Sequence, residues 1–144
     1  MLFETNQDKG RAGISAAIGY FGTHGYTVSI PLNDTQGYDL IVDNGKKLMK
    51  ISCKATGSRS KSGASIVSLR NCGGTNGAVY GRENEKDNDF VFVLNECGEM
   101  WLLPQEILTS NSMTLGDKYS QYRIWEYLGQ YSVTGITPDC KSGA

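Results

Sequence analysis

The stretch YDLIVDNGKKLMKISCKAT, residues 38–56, decides how this chain folds. Two apolar runs, YDLIV and KLMKISCKA, flank DNGK, where Asn44-Gly45 is the kind of dipeptide that supplies the positive backbone angles of a two-residue hairpin turn. The spacing therefore predicts an antiparallel hairpin, with an acid, Asp39, opening the first strand and a lysine, Lys54, near the end of the second. Side chains alternate along a strand, which puts Lys50, Ser52 and Lys54 on a polar face and Ile51, Cys53 and Ala55 on a buried one. Across the turn, Asp39 falls close to Ser52 and Lys54. Two readings stay open at this level. The pair is either a strand-end salt bridge of small energetic weight, or a carboxylate that holds a divalent ion beside an ammonium that stabilises charge on a phosphodiester.

Before the hairpin, KGRAGISAAIGYFGTHGY carries Ile14, Ala17, Ile18 and Phe21 at helical spacing, so a helix with one buried side is expected, capped by Asp8 and closed by Gly25. YTVSIP reads as a short strand ending at Pro31. After the hairpin come a Gly/Ser loop with Arg59 and Lys61, a strand SIVSL ahead of Arg70, and a long polar stretch read as a loop, NCGGTNGAVYGRENEKDND. FVFVLN and MWLLP around ECGE form a second expected hairpin, and PQEIL a short helix near Pro104. YRIWEYL fits a strand or a helix. A helix, then strands, then mixed short elements make an α/β (α+β) pattern with a mixed central sheet flanked by helices. Residues 1–128 are expected as one domain and residues 129–144 as a flexible tail.

Lys and Arg number 14 against 15 Asp and Glu, so the whole-molecule field does not draw the chain to nucleic acid, and affinity of that kind needs a local patch. No apolar run approaches the roughly 20 residues that span a bilayer, and MLFETNQDKG lacks the regions of a signal peptide; the expectation is a cytoplasmic protein with no membrane partner. Cys53, Cys72, Cys97 and Cys140 are scattered without zinc-site spacing and are expected as reduced thiols.

From Lys9 to Thr56 the order KG…G…AAI…HGYTVSIPLNDTQGYDLIVDNGKKLMKISCKAT resembles the PD-(D/E)XK nuclease superfamily, on the branch with group I intron homing endonucleases; Holliday-junction resolvases are more distant relatives. The resemblance implies a restriction-endonuclease-like core and metal-dependent cleavage of DNA phosphodiesters, homing- or junction-resolvase-like, with Mg²⁺ or Mn²⁺ as cofactor. By position, Asp39 matches the metal-binding Asp and Lys54 the catalytic Lys; the backbone carbonyl of Cys53 would be a further metal ligand. Two positions depart. Ile14 stands where the family's helix carries Glu, and Ser52 stands two residues before the Lys, where an acid or Gln is usual; serine offers a weaker, neutral oxygen in the catalytic set. Glu4, Asp8 and Asp34 are the acids near enough in sequence to stand in for the missing carboxylate.

Arg59, Lys61 and Arg70 would give the site a basic DNA-binding edge, and Asn71, Asn76, Arg82 and Asn84 could reach base edges, although such loops are more often simply solvated. His24 fits a helix-end ligand to carbonyls better than a base, and Trp101 and Trp125 fit a core or a subunit contact. Cutting both strands of a duplex needs two centres, hence an expected homodimer or larger symmetric assembly. The alternatives are a nuclease fold that has lost chemistry and serves as a DNA-binding or protein-interaction module, such as a phage or host-defence factor, and a small structural domain in which Asp39 and Lys54 merely pair.

Overall fold

Thr5, not Asp8, begins the helix. Its hydroxyl accepts the Asp8 N–H at 3.1 Å while the Asp8 carboxylate takes the Thr5 N–H at 3.0 Å, a reciprocal capping box that opens α1 (Asn6–Thr23). That bond from Thr5 holds the exposed Asp8 carboxyl below its ordinary range. At the other end Gly25 takes a φ of +83° and His24 Nδ1 lies 2.6 Å from the Tyr20 carbonyl, so the histidine serves the helix terminus as expected. The structure is a computed structural model that describes residues 3–33, 35–73, 78–82 and 87–124, and for 71–73 and 78–82 the backbone alone. Asp34, Asn76, Asn84, Trp125 and the proposed tail lie outside the described residues.

The main sheet has six strands: β1 (Thr27–Ser29), β2 (Leu40–Asp43), β3 (Leu48–Thr56), β7 (Phe90–Asn95), β8 (Met100–Pro104) and β10 (Arg123–Ile124), in that spatial order. The β2–β3 hairpin forms as the sequence implied, but its tight turn is centred one residue later. Gly45 alone takes positive φ, at +86°, while the Asn44 side chain accepts the N–H groups of Lys46 and Lys47 at 2.9 and 2.8 Å. Asparagine here organises the turn through its amide oxygen. The sheet is mixed because β3 and β7 run parallel, joined by a crossover, residues 57–89, whose described residues form no helix. Within it β4 (Ser65–Ser68) pairs with β9 (Ser112–Leu115), and the stretch read as a loop forms a hairpin, β5 (Arg70–Gly73) with β6 (Ala78–Arg82). The expected second hairpin is β7–β8, and PQEIL gives one 3-10 turn, Gln105–Ile107.

Two apolar clusters lie on either side of this sheet. Ala17 and Phe21 of α1 pack with Leu40, Ile51, Phe92 and Leu94, and Ile14, Cys53 and Ala55 border them. Val67 of β4 and Met113 of β9 pack with Val91, Val93, Trp101 and Leu103 on the other face. Ile51 is wholly buried, so its truncation to alanine would cost about 2–5 kcal/mol. The Ser52–Lys54 face of β3 is thus not an open solvated surface: Ser52 is buried, and Thr56 Oγ1 donates to the Ile66 carbonyl of β4. The thiols also differ from expectation. Cys53 is free, but Cys97 is in a disulfide, with its partner outside the described side chains. Widely spaced cysteines give no sequence signal for such a pair.

Candidate active site

β2 is shorter than β3, and that difference makes the site. The last ladder pair is Leu40 with Ile51, and the Asp39 N–H still donates to the Ile51 carbonyl at 2.9 Å. Asp39 therefore stands opposite Ser52. From Cys53 to Thr56 the edge of β3 facing β2 has lost its partner strand, while β7 covers the other edge as far as Asn95. The Asp39 side chain continues the ladder: its Oδ2 accepts the Cys53 N–H at 2.7 Å. A carboxylate fixed by a backbone N–H cannot swing away without breaking a charge-assisted bond. Its Oδ1 has no hydrogen-bond partner among the described residues.

Lys54 follows one residue after Cys53, half-buried, on the same face of β3 as Ser52. Its main chain is held from the helix side, because Gly13 lets α1 approach closely. A Cβ at Gly13 would lie 3.2 Å from the Lys54 carbonyl oxygen and 3.5 Å from Ala55 Cβ. Helix and sheet meet here because residue 13 has no side chain, and the contact fixes the strand that carries Lys54.

Along the vacated edge runs a cleft of about 480 Å³, lined by Lys54, by Lys9 of α1, by Arg70 at the start of β5, and by the hydroxyls of Ser58, Ser68 and Ser112. No Asp or Glu is among its described lining residues. Lys9 was not singled out as a site residue in the sequence; the one signal was its place in the KG phrase of the resemblance.

The expected DNA-binding residues separate. Arg70 lines the cleft and Lys61 is exposed at the tip of the 60–63 turn. Arg59 is half-buried and serves the second hairpin's turn: Nε donates to Glu96 Oε1 at 2.6 Å, and its other nitrogens donate to the Gly63 carbonyl at 2.8 Å and Cys97 Sγ at 3.0 Å. Of the stand-in acids, Asp8 is committed to the capping box and Glu4 is exposed ahead of α1. Ile14 packs against the helix-side cluster. No group of three or more His, Cys, Asp or Glu gathers among the described residues.

Residues 4–124 match the sequence model of the PD-(D/E)XK endonuclease family. The chain belongs to that family. A bacterial homing endonuclease, I-Ssp6803I, has a similar structure, with a TM-score of 0.67 at 25% identity over 83% of this chain and 88% of that one. Among curated proteins none matches in sequence. The mixed sheet with its main helix is thus a restriction-endonuclease-like nuclease fold, and the PD-(D/E)XK membership and the homing-endonuclease neighbour support a DNA endonuclease. PD-(D/E)XK nucleases generally use divalent metal ions. Among the described residues no helix is long and apolar enough to cross a membrane.

Proposed function

We propose that this chain is a Mg²⁺- or Mn²⁺-dependent endodeoxyribonuclease whose centre is the edge of β3 just beyond the end of β2. The observation that carries the reading is the Asp39–Cys53 bond, which fixes a carboxylate beside Lys54 where the sheet edge opens. The donors fit a hard cation. Asp39 Oδ1 is one oxygen, and strand geometry turns the Cys53 carbonyl to the same edge as the N–H that Asp39 binds. Two protein oxygens suit Mg²⁺, which keeps several waters and takes substrate phosphate oxygens as further ligands. When bound there, the ion supplies charge neutralisation at the phosphate and acidifies water.

The chain's own residues do the rest. Lys54 meets the negative charge that builds on the phosphorus-bound oxygens as the nucleophile attacks, and it orients the attacking water. Ser52, opposite Asp39 and buried, provides the neutral hydroxyl of the set. Arg70 and Lys61 hold flanking phosphates, and Arg59 contributes by fixing the turn that carries Glu96 and Cys97. Two copies would cut the two strands of a duplex.

A second reading, a nuclease fold that binds DNA without cutting it, is favoured by one observation: Ile14 packs in the apolar cluster where a second carboxylate is usual in the resemblance. Supercoiled plasmid incubated with the chain decides between them. Nicking with Mg²⁺ or Mn²⁺ that a chelator abolishes is the expected result; DNA binding with no nicking under either ion would leave the second reading standing.

A further inference from the structure

We propose that the cleft along the vacated edge of β3 seats the sugar-phosphate backbone of one DNA strand, with Lys9 and Arg70 as its two phosphate ligands on either side of Lys54. The inference rests on the DNA reading of the site and adds a residue, Lys9, that neither spacing nor composition marks out.

Three elements far apart in sequence converge here. Lys9 comes from the second turn of α1, Lys54 from β3 and Arg70 from the start of β5. In a chain with a net charge of −1, three cations and no carboxylate among the described lining residues are not a sample of the average surface. Several cations elsewhere find acids: Arg11 pairs with Asp8, Lys47 with Asp89, Lys50 with Asp87, Arg59 with Glu96 and Arg123 with Glu99. Lys9 and Arg70 form no ion pair with any described residue. Holding Lys9 and Arg70 at one partly enclosed space favours the entry of an anion, and burial strengthens that attraction.

The rest of the lining suits a phosphodiester better than a carboxylate-rich partner. The hydroxyls of Ser58, Ser68 and Ser112 can donate to phosphate oxygens, and the guanidinium of Arg70 can take two of them at once. The volume of about 480 Å³ lies within the ~300–1,000 Å³ typical of ligand clefts. The position matters as much as the charge. Lys54, which lines the cleft, follows Cys53, whose N–H Asp39 binds, so a backbone seated in the cleft lies one residue along β3 from the proposed metal ligands.

Binding of a labelled duplex oligonucleotide to the full chain, measured in chelator over a range of NaCl, tests this. Lys9→Ala and Arg70→Ala should each reduce the slope of log K against log salt by about 0.9, equally for unrelated DNA sequences. Lys9→Arg should restore the slope. Lys46→Ala, at the exposed hairpin turn away from the cleft, should leave it unchanged. Alanine is the stronger helix former, so Lys9→Ala retains α1. A wild-type slope in Lys9→Ala, or an equal loss in Lys46→Ala, would overturn the proposal. The same proteins keep the two readings apart. Flattened slopes in a chain that never nicks plasmid would sustain the cleft and sink the nuclease, whereas metal-dependent nicking with an unaltered Lys9→Ala slope would do the reverse.

Discussion

The two ends of β3 use the same residue type for different ends. Where the strand begins, lysines are matched: Lys47 Nζ lies 3.3 Å from Asp89 Oδ1, and Lys50 Nζ lies 3.1 Å from Asp87 Oδ2. Asp89 also accepts the Lys50 N–H at 2.8 Å, tying β3 to the start of its parallel neighbour β7. Where the strand ends, Lys54 joins Lys9 and Arg70 around a cleft with no acid among its described lining residues, and the neighbouring carboxylate, Asp39, is bound to backbone. Acids placed against Lys47 and Lys50 build structure; at the other end Lys9 and Arg70, which form no ion pair with a described residue, leave charge for a substrate. What separates the ends is where β2 stops.

The contrast can be broken most severely at Asp39. Asp39→Asn preserves an oxygen that can accept the Cys53 N–H but removes the charge, so folding should persist while metal-dependent plasmid nicking falls by about 10²–10³-fold. Gly13→Ala comes next. Alanine favours the helix by about 1 kcal/mol, but its Cβ at 3.2 Å from the Lys54 carbonyl must push the strand or the helix by a few tenths of an ångström. Thermal unfolding should shift little, and single-turnover cleavage should drop several-fold, because small displacements of a catalytic group are costly.

At the structural end the effects are smaller and fall on stability. The Lys50 N–H bond, aided by Lys47, outweighs partial burial and holds the Asp89 carboxyl below its ordinary range. A carboxyl with a depressed folded-state pKa contributes stability that is present above the unfolded value, near 3.9, and lost as pH falls through the folded one. Asp89→Asn should therefore be less stable than wild type at neutral pH in urea unfolding, with the gap closing in stronger acid. Lys50→Ala breaks a pair whose Asp87 is fully exposed, so its urea unfolding midpoint should shift less than that of Asp89→Asn at neutral pH.

Much of this was legible where local chemistry agrees with the fold. Strand alternation and a turn dipeptide gave the β2–β3 hairpin, the face shared by Ser52 and Lys54, and the nearness of Asp39 to that face, while the exact register, with Asp39 opposite Ser52, came from a turn centred one residue later. The β5–β6 hairpin was not legible, because a stretch rich in Gly, Asn and charge has no apolar alternation to detect. Nor was the pairing of β4 with β9, which a shared apolar cluster brings together across residues distant in sequence. Arg59 was expected on a DNA-binding edge, and only the tertiary fold sets Glu96 against it. Lys9 was missed for the converse reason: on a helix it resembles any surface lysine until the close approach at Gly13 brings α1 to the sheet edge.

The most direct measurement sets two lysines of β3 side by side, Lys54→Ala and Lys50→Ala, in plasmid cleavage with Mg²⁺ and in duplex binding without it. Lys54→Ala should lose cleavage by about 10²–10³-fold while binding weakens by no more than about tenfold, and Lys50→Ala should cut at the wild-type rate. Cleavage by Lys54→Ala at the wild-type rate, or an equal loss in Lys50→Ala, would contradict the assignment of the open edge of β3 as the catalytic one.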